Sequence, residues 1–301
     1  MIVPKKLNAS YHVIFAIFLL TSCQPGKDSS SSGEGENALA RAPDSWVDDR
    51  VEQAKTRLEA SDAGKVVWAA MNAHGGLANW YRQGPIAFHF NYQPQDEGSP
   101  RNTYQVVDQW SNRAIHYAVG DSASRFGWDG KQAWVVTKDT ATFPFNTRFW
   151  SLTPYYFMAQ PFVLDGEGVN LELLKPISYE GKPNDVVKVT FADGTGDAPG
   201  DYYILYFDQE THLLRVIRYI VSYPGYFKDG GHMPEKFMSL EGEQNVAGFH
   251  FAKSYRTYWL QDDGTPGEYI TKIDLSEISF KPDLPKNFFN KPEGATVSEG
   301  L

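Results

Sequence analysis

The sequence predicts an α+β protein that is mainly antiparallel β-sheet. In residues 86–92, bulky apolar side chains alternate with Ala, His and Asn, which is the spacing of a strand with one buried face. Turn dipeptides such as Asp129-Gly130 and Asp193-Gly194 separate many similar segments further along the chain. Roughly a dozen closely spaced strands without a helical pattern between them favour an antiparallel sheet or barrel over parallel βαβ units.

The strand prediction extends over most of the chain after residue 85. Beyond the first segment, the predicted strands are 102–108, 113–119, 124–128, 132–137, 171–179, 185–191, 202–207, 212–223, 237–244, 249–260 and 268–280.

Two helices are predicted before the strands. Asp44 or Ser45 can cap the first, whose apolar face carries Val47, Val51, Ala54 and Leu58. The second covers about residues 62–73, and the glycines at 75 and 76 supply its left-handed stop.

One segment, residues 146–161, interrupts the strand pattern. Thr153 can cap a helix there, and Pro154 suits the first helical position. The segment is apolar on nearly all sides, so the helix must be buried on most of its faces. An antiparallel sheet that curls around this helix would bury it.

Residues 1–22 have the pattern of a secretory signal peptide. A basic start precedes an apolar run at residues 13–20, which is shorter than the about 20 residues that a membrane-spanning helix needs. Leu20, Thr21 and Ser22 then precede Cys23, the one cysteine of the chain, and this resembles the bacterial lipobox. The resemblance implies cleavage between Ser22 and Cys23 and acylation of Cys23. A plain secretory signal with a chance cysteine is the alternative.

The remaining chain divides into a tether, one domain and a tail. Residues 23–43 are rich in Ser and Gly and predict a flexible tether behind the acylated cysteine. Residues 44–290 predict a single domain, followed by a C-terminal tail at 291–301. Gln24 is not the aspartate that retains lipoproteins in the inner membrane of enterobacteria, so the resemblance favours an outer-membrane lipoprotein of the cell envelope.

Charge and motifs exclude several functions. The chain has 28 Lys and Arg against 37 Asp and Glu, a net charge of −9, which argues against a nucleic-acid partner. It has no P-loop, nucleophile elbow, zinc-protease motif or dinucleotide fingerprint. We predict no catalytic residue, no metal site and no cofactor, and we interpret His89 and His250 as half-exposed strand histidines.

Aromatic residues provide the candidate ligand-binding positions. Tyr223, Tyr226 and Phe227 lie in a loop that Pro224 and Gly225 keep irregular. This loop is either a lid over an apolar cavity or a loop whose rings pack on the core. With the apolar helix, the candidate ligand-lining residues are Trp150, Tyr155, Phe157, Tyr223, Tyr226 and Phe227.

Several short motifs resemble the lipoprotein-localisation-factor (LolA/LolB-like) superfamily. They are W-D-G at 128–130 with Trp134, Q-P-F-V-L at 160–164, Y-Y-I-L-Y-F-D-Q-E-T-H-L-L at 202–214, V-A-G-F at 246–249, and A-H-G-G at 73–76. The resemblance implies a curved, half-open β-barrel whose concave face is covered by helices, with an apolar cavity for lipid acyl chains. The soluble carrier of that superfamily has no lipobox, this chain is longer, and no residue here matches the carrier's functional positions.

These observations together predict a non-enzymatic membrane-anchored lipoprotein that binds a hydrophobic ligand or a lipidated partner in a half-barrel cavity. Two alternatives stay open. One is a structural or interaction lipoprotein of the outer membrane whose core is filled by its own helix. The other is a periplasmic hydrolase, which would need a cleft with converging carboxylates or histidines.

The anchor is tested by Cys23→Ser. Without the thiol no diacylglyceryl group can be attached, so we expect the lipoprotein peptidase to leave the signal uncut. Mass spectrometry and fractionation of cell membranes measure both effects. Normal processing, together with membrane association that survives carbonate washing, would show that Cys23 is not the anchor.

Overall fold

The computed structural model describes residues 38–298, so the predicted signal peptide and Cys23 lie outside the described residues. The helices are α1 (Asp44–Glu59), α2 (Asp62–Ala73), α3 (Leu77–Arg82), α4 (Thr147–Trp150) and α5 (Thr153–Met158). Short 3-10 turns lie at Thr140–Thr142, Phe162–Leu164 and Lys286–Phe289. The strands are β1 (Ile86–Pro94), β2 (Arg101–Asp108), β3 (Arg113–Ala118), β4 (Asp121–Trp128), β5 (Ala133–Val136), β6 (Val169–Tyr179), β7 (Lys182–Phe191), β8 (Tyr203–Asp208), β9 (Leu214–Tyr219), β10 (Lys236–Val246), β11 (Phe249–Leu260), β12 (Pro266–Phe280) and β13 (Thr296–Ser298).

All these strands form one antiparallel sheet in the order β13-β5-β4-β3-β2-β1-β12-β11-β10-β9-β8-β7-β6. The two halves meet where β1 pairs with β12, for example at Phe90 and Leu275. The sheet is curved but does not close, because β13 and β6 at its ends do not pair with each other. The predicted fold class, an α+β half-open barrel, is confirmed.

The first two helices lie where the apolar periodicity predicts them. Pro43 occupies the N-cap position of α1 without a side-chain bond, whereas the Ser61 hydroxyl caps α2 by accepting a hydrogen bond from the Gly64 backbone N–H. Gly75 and Gly76 have φ angles of 126° and 88°, which favour glycine and end α2. Within residues 38–298, no helix combines the length and apolar content required to cross a bilayer.

The predicted apolar helix is two short helices, α4 and α5. Asn146 caps α4 through its side-chain oxygen, which accepts a hydrogen bond from the Phe149 backbone N–H. Thr153 does not cap α5 as the sequence suggested, because its hydroxyl donates to the Phe149 carbonyl oxygen, 2.5 Å away, and Leu152 takes the N-cap position. We call residues 147–164, which hold α4, α5 and the following 3-10 turn, the roof segment.

The main core lies between the concave face of the sheet and the helices, and its centre is Trp80 of α3. This side chain is 1% exposed. Its ring stacks on Phe162 of the roof segment at 4.5 Å between centroids and meets Phe249 of β11 edge-on at 5.5 Å. A single side chain therefore joins α3, the roof segment and the sheet.

A smaller core on the convex face includes residues that the sequence assigned to the tether and the tail. Ala40 is fully buried beside Phe289, and its backbone N–H donates to the Leu284 carbonyl. Strand β13 pairs with β5 through Val297 and Trp134. The ordered fold thus begins before residue 44 and continues past residue 290, because these segments complete a buried cluster and a sheet edge.

Trp80→Ala should lower the free energy of unfolding by about 3–5 kcal/mol, since it removes a buried aromatic that three elements share. Equilibrium urea denaturation measures the change. Val119→Ala is the control, because Val119 is 51% exposed and its truncation should change stability by no more than about 0.5 kcal/mol. A loss at Trp80 as small as that of the control would contradict its central place.

Candidate functional site

A cavity of about 690 Å³ lies between the concave face of the sheet and the helices. Its walls come from α1, α3, the roof segment and strands β1, β6 to β10 and β12. The volume falls within the about 300–1,000 Å³ typical of small-molecule pockets. The roof segment covers the sheet without filling the space beneath it.

Four of the six candidate ligand-lining residues border this cavity. They are Trp150, Tyr155, Phe157 and Tyr223. Tyr226 and Phe227 are not among its lining residues. Tyr226 is 42% exposed and packs against Phe149 and Tyr223, at 5.2 Å from each ring, so it covers two residues of the cavity wall from outside.

Aromatic rings from neighbouring strands form one wall of the cavity. Tyr203 of β8 and Tyr219 of β9 are directly opposite in the sheet and stack at 6.0 Å with an interplanar angle of 16°. Tyr156 and Phe157 of the roof segment pack on them at 5.1 and 5.0 Å. Burial raises the pKa of both Tyr203 and Tyr219, so these phenols stay neutral and the wall remains uncharged.

His116 of β3 attaches the roof segment to the sheet. Its ring stacks on Phe126 at 4.3 Å, and its Nε2 atom lies 2.8 Å from the carbonyl oxygen of Ser151, to which it donates. Burial lowers the pKa of His116 to about 4, so the imidazole is neutral at physiological pH. The histidine therefore positions the roof segment and carries no charge into the site.

An ion pair ties α1 to the end of the roof segment. The Arg50 guanidinium donates two hydrogen bonds to the Asp165 carboxylate, at 2.6 and 2.9 Å, and the Tyr81 hydroxyl donates a third at 2.7 Å. Asp165 is 6% exposed. Sequence reasoning missed this network, because its three residues are far apart in the chain and no motif contains them.

The other carboxylates of the cavity wall also have fixed partners. Asp197 accepts a hydrogen bond from Arg148 at 2.5 Å, and that guanidinium stacks on Trp128. Asp201 accepts from the backbone N–H and the hydroxyl of Ser222, at 2.6 and 2.8 Å. Burial raises the pKa of Asp201. The Gly- and Asp-rich loop before β8 is thus held by these two contacts.

Lys236, at the start of β10, is the cavity-lining cation that the sequence gave no reason to select. Burial, followed by the charge of Arg101, lowers the pKa of Lys236 to about 8. Its Nζ atom lies 5.7 Å from the ring centroid of Tyr219 and 5.3 Å from that of Trp259. Lys236 lies opposite Tyr219 of β9 and Trp259 of β11 in the sheet, so its place at the cavity depends on strand pairing that the sequence does not show.

The ion pair beside the cavity can be tested with Asp165→Ala. The substitution leaves the partly buried guanidinium of Arg50 without its carboxylate, so the free energy of unfolding should fall by about 3 kcal/mol. Urea denaturation measures this loss. Glu241→Ala breaks the exposed Arg256–Glu241 pair and should cost less than about 1 kcal/mol. Equal losses in the two variants would show that the Asp165 network does not stabilise the fold.

No protein-family profile matches the chain, and no curated protein matches it. Among solved structures, it is similar to a LolA superfamily protein from Nitrosomonas europaea, with 13% identity over 76% of this chain and 97% of that chain and a TM-score of 0.49. It is also similar to an outer membrane lipoprotein-sorting protein domain from Vibrio parahaemolyticus, with 10% identity over 75% and 95% of the two chains and a TM-score of 0.49. A DUF1329 family protein from Desulfovibrio piger has 11% identity over 74% and 97%, with a TM-score of 0.48. These are likenesses between structures at low sequence identity, and they say nothing about the ligand or partner of this chain.

Proposed function

We propose that this protein is a membrane-anchored lipoprotein of the bacterial cell envelope that binds a hydrophobic ligand, or the acyl part of a lipidated partner, in the cavity under the roof segment. The anchor would be lipid on Cys23, as the lipobox pattern of residues 20–23 implies. Two or more acyl chains hold a protein stably at a membrane, whereas one chain is marginal. The outer membrane is the location that we propose.

The observation that carries the proposal is the cavity itself. Its volume of about 690 Å³ remains although α5 lies against the concave face. The alternative of a core filled by its own helix requires that this space be closed. An apolar ligand gains about 0.8 kcal/mol for each methylene group that leaves water, so a long acyl chain would bind by burial alone.

The hydrolase alternative finds less support in the cavity. Its lining carboxylates are Asp165, Asp197 and Asp201, and each is held by an arginine or by Ser222. Among the described residues that line the cavity there is no histidine. Glycan hydrolysis requires two free carboxyl groups, one that donates a proton and one that acts as base or nucleophile. The carboxylates that line this cavity do not form such a pair.

Uptake of N-phenyl-1-naphthylamine, an uncharged fluorophore that brightens in apolar surroundings, tests the proposal. A chain that begins at residue 23 and carries Cys23→Ser should be used, so that neither its own lipid nor the apolar run at residues 13–20 competes. We expect saturable binding, and we expect Val163→Trp to weaken it at least tenfold. Val163 lines the cavity and is half-buried, so an indole at this position can project into the space.

Val119→Trp is the matched control, since the same substitution is then made at an exposed position away from the cavity. It should leave binding unchanged. Thermal denaturation checks that both variants are folded. A wild-type protein that shows no saturable fluorescence increase, or a Val163→Trp variant that binds as tightly as wild type, would contradict the proposal.

A further inference from the structure

One part of the cavity wall carries a positive charge that has no carboxylate partner within residues 38–298. Lys236 contacts the rings of Tyr219 and Trp259, and its polar contact within the described part of the chain is the Met233 sulfur, 3.7 Å from Nζ. The carboxylate of the adjacent Glu235 is engaged elsewhere, by Arg218 at 2.8 Å and by the Tyr202 hydroxyl at 2.9 Å. Lys236 is thus held in an aromatic surrounding without an anion.

A second cation, Arg101, does not line the cavity itself but packs behind two aromatic residues that do. Arg101 begins β2 directly opposite Tyr92 of β1, and its guanidinium lies 4.6 Å from the Tyr92 centroid and 4.2 Å from that of Trp150. Both rings line the cavity. One guanidinium N–H donates to the Ser99 carbonyl at 2.9 Å. The charge of Arg101 contributes, after burial, to the lowered pKa of Lys236.

Two further hydrogen-bond donors lack a well-placed acceptor. The Nε atom of Arg101 and the Nε1 atom of Trp150 are both buried, and neither makes a hydrogen bond of good geometry within residues 38–298, although the Tyr92 hydroxyl lies near Arg101 and the Tyr226 hydroxyl near Trp150. Buried donors are usually paired, because leaving one without an acceptor costs free energy. Lys236, Arg101 and Trp150 can donate but cannot accept at these atoms, so the acceptor that suits them is negatively charged.

The opposite arrangement holds for the other cations of the cavity wall. Arg50 is paired with Asp165, and Arg148 is paired with Asp197. Their charges are neutralised within the protein, although the whole chain is acidic. Positive charge without a partner is therefore concentrated at Lys236, while the aromatic wall of Tyr203, Tyr219 and Phe157 continues from it.

We propose that the ligand is a single-chain anionic amphiphile, whose acyl chain lies along the aromatic wall and whose carboxylate or phosphate accepts hydrogen bonds from Lys236 and Trp150, with the charge of Arg101 behind them. This inference rests on the proposed function, because it assumes that the cavity takes an apolar chain. It adds that the anionic headgroup, and not only the chain, contributes to affinity.

The fluorescent fatty acid cis-parinaric acid and its uncharged methyl ester separate the two contributions. Both should bind to the chain that begins at residue 23 and carries Cys23→Ser, and the acid should bind at least tenfold more tightly, since a charge-assisted hydrogen bond contributes that much. Lys236→Met and Arg101→Met should each remove most of this preference, measured as the ratio of acid affinity to ester affinity in the same variant. Lys236→Arg should retain it.

Lys175→Met is the matched control, because it removes one exposed lysine of β6 and should alter neither affinity. Displacement of the ester by laurate, dodecyl phosphate and dodecanol identifies the headgroup. Tighter displacement by either anion than by the alcohol supports the proposal, and the better anion distinguishes a free fatty acid from a lipid phosphate.

Three outcomes would overturn it. The wild type could bind acid and ester equally, the alcohol could displace the ester as well as both anions do, or Lys236→Met could weaken both probes alike, which would indicate a packing role. The wild-type comparison of acid with ester stands even if a variant fails to fold. Failure of both probes to bind would instead refute the proposed function, so the two failures are distinguishable.

Discussion

The structure depends on one constraint: a sheet that curves but does not close has a concave apolar face that must be kept from water. A closed barrel would cover that face with its own strands. This sheet ends at β6 and β13 without closing, so helices must cover its concave face instead. Trp80 joins the covering helices to the middle of that face, since its ring packs against both the roof segment and β11. The positions of α1 and of the cavity follow from where that contact places the roof segment.

The polar groups around the cavity divide into two kinds. Asp165 and Asp197 neutralise arginines, and His116 is neutral, so these groups fix the helices in place and leave the interior uncharged. Such partly buried pairs add little net stability compared with apolar residues in their place, but removing one partner alone is costly because it leaves the other charge without its counter-ion. Lys236 differs because, within the described residues, no carboxylate compensates for its burial.

Period-two alternation predicted most of the sheet, because a strand with one buried face places apolar side chains at every second position of the sequence. The short helix α3 was missed, since six residues are too few to show a helical period. Strand β13 was missed for a similar reason: three residues beside Trp134 complete an edge that exists only in the folded sheet. At the cavity, the aromatic residues of the roof segment could be selected by their unusual apolarity. Asp165 and Lys236 could not be selected from the sequence. Asp165 is distinguished by its pairing with Arg50, which is distant in the chain, and Lys236 by the lack of a carboxylate partner among the described residues.

The open ends of the sheet affect how the protein can associate with other chains. An edge strand presents backbone N–H and C=O groups that another strand could pair with. In β6 the register shifts between Leu174 and Ile177, Pro176 has no N–H to offer, and Lys175 is exposed beside it. At the other end, β13 is only three residues long. Both edges are therefore poor templates for strand addition, so the sheet can remain open to a ligand without inviting growth into a fibre.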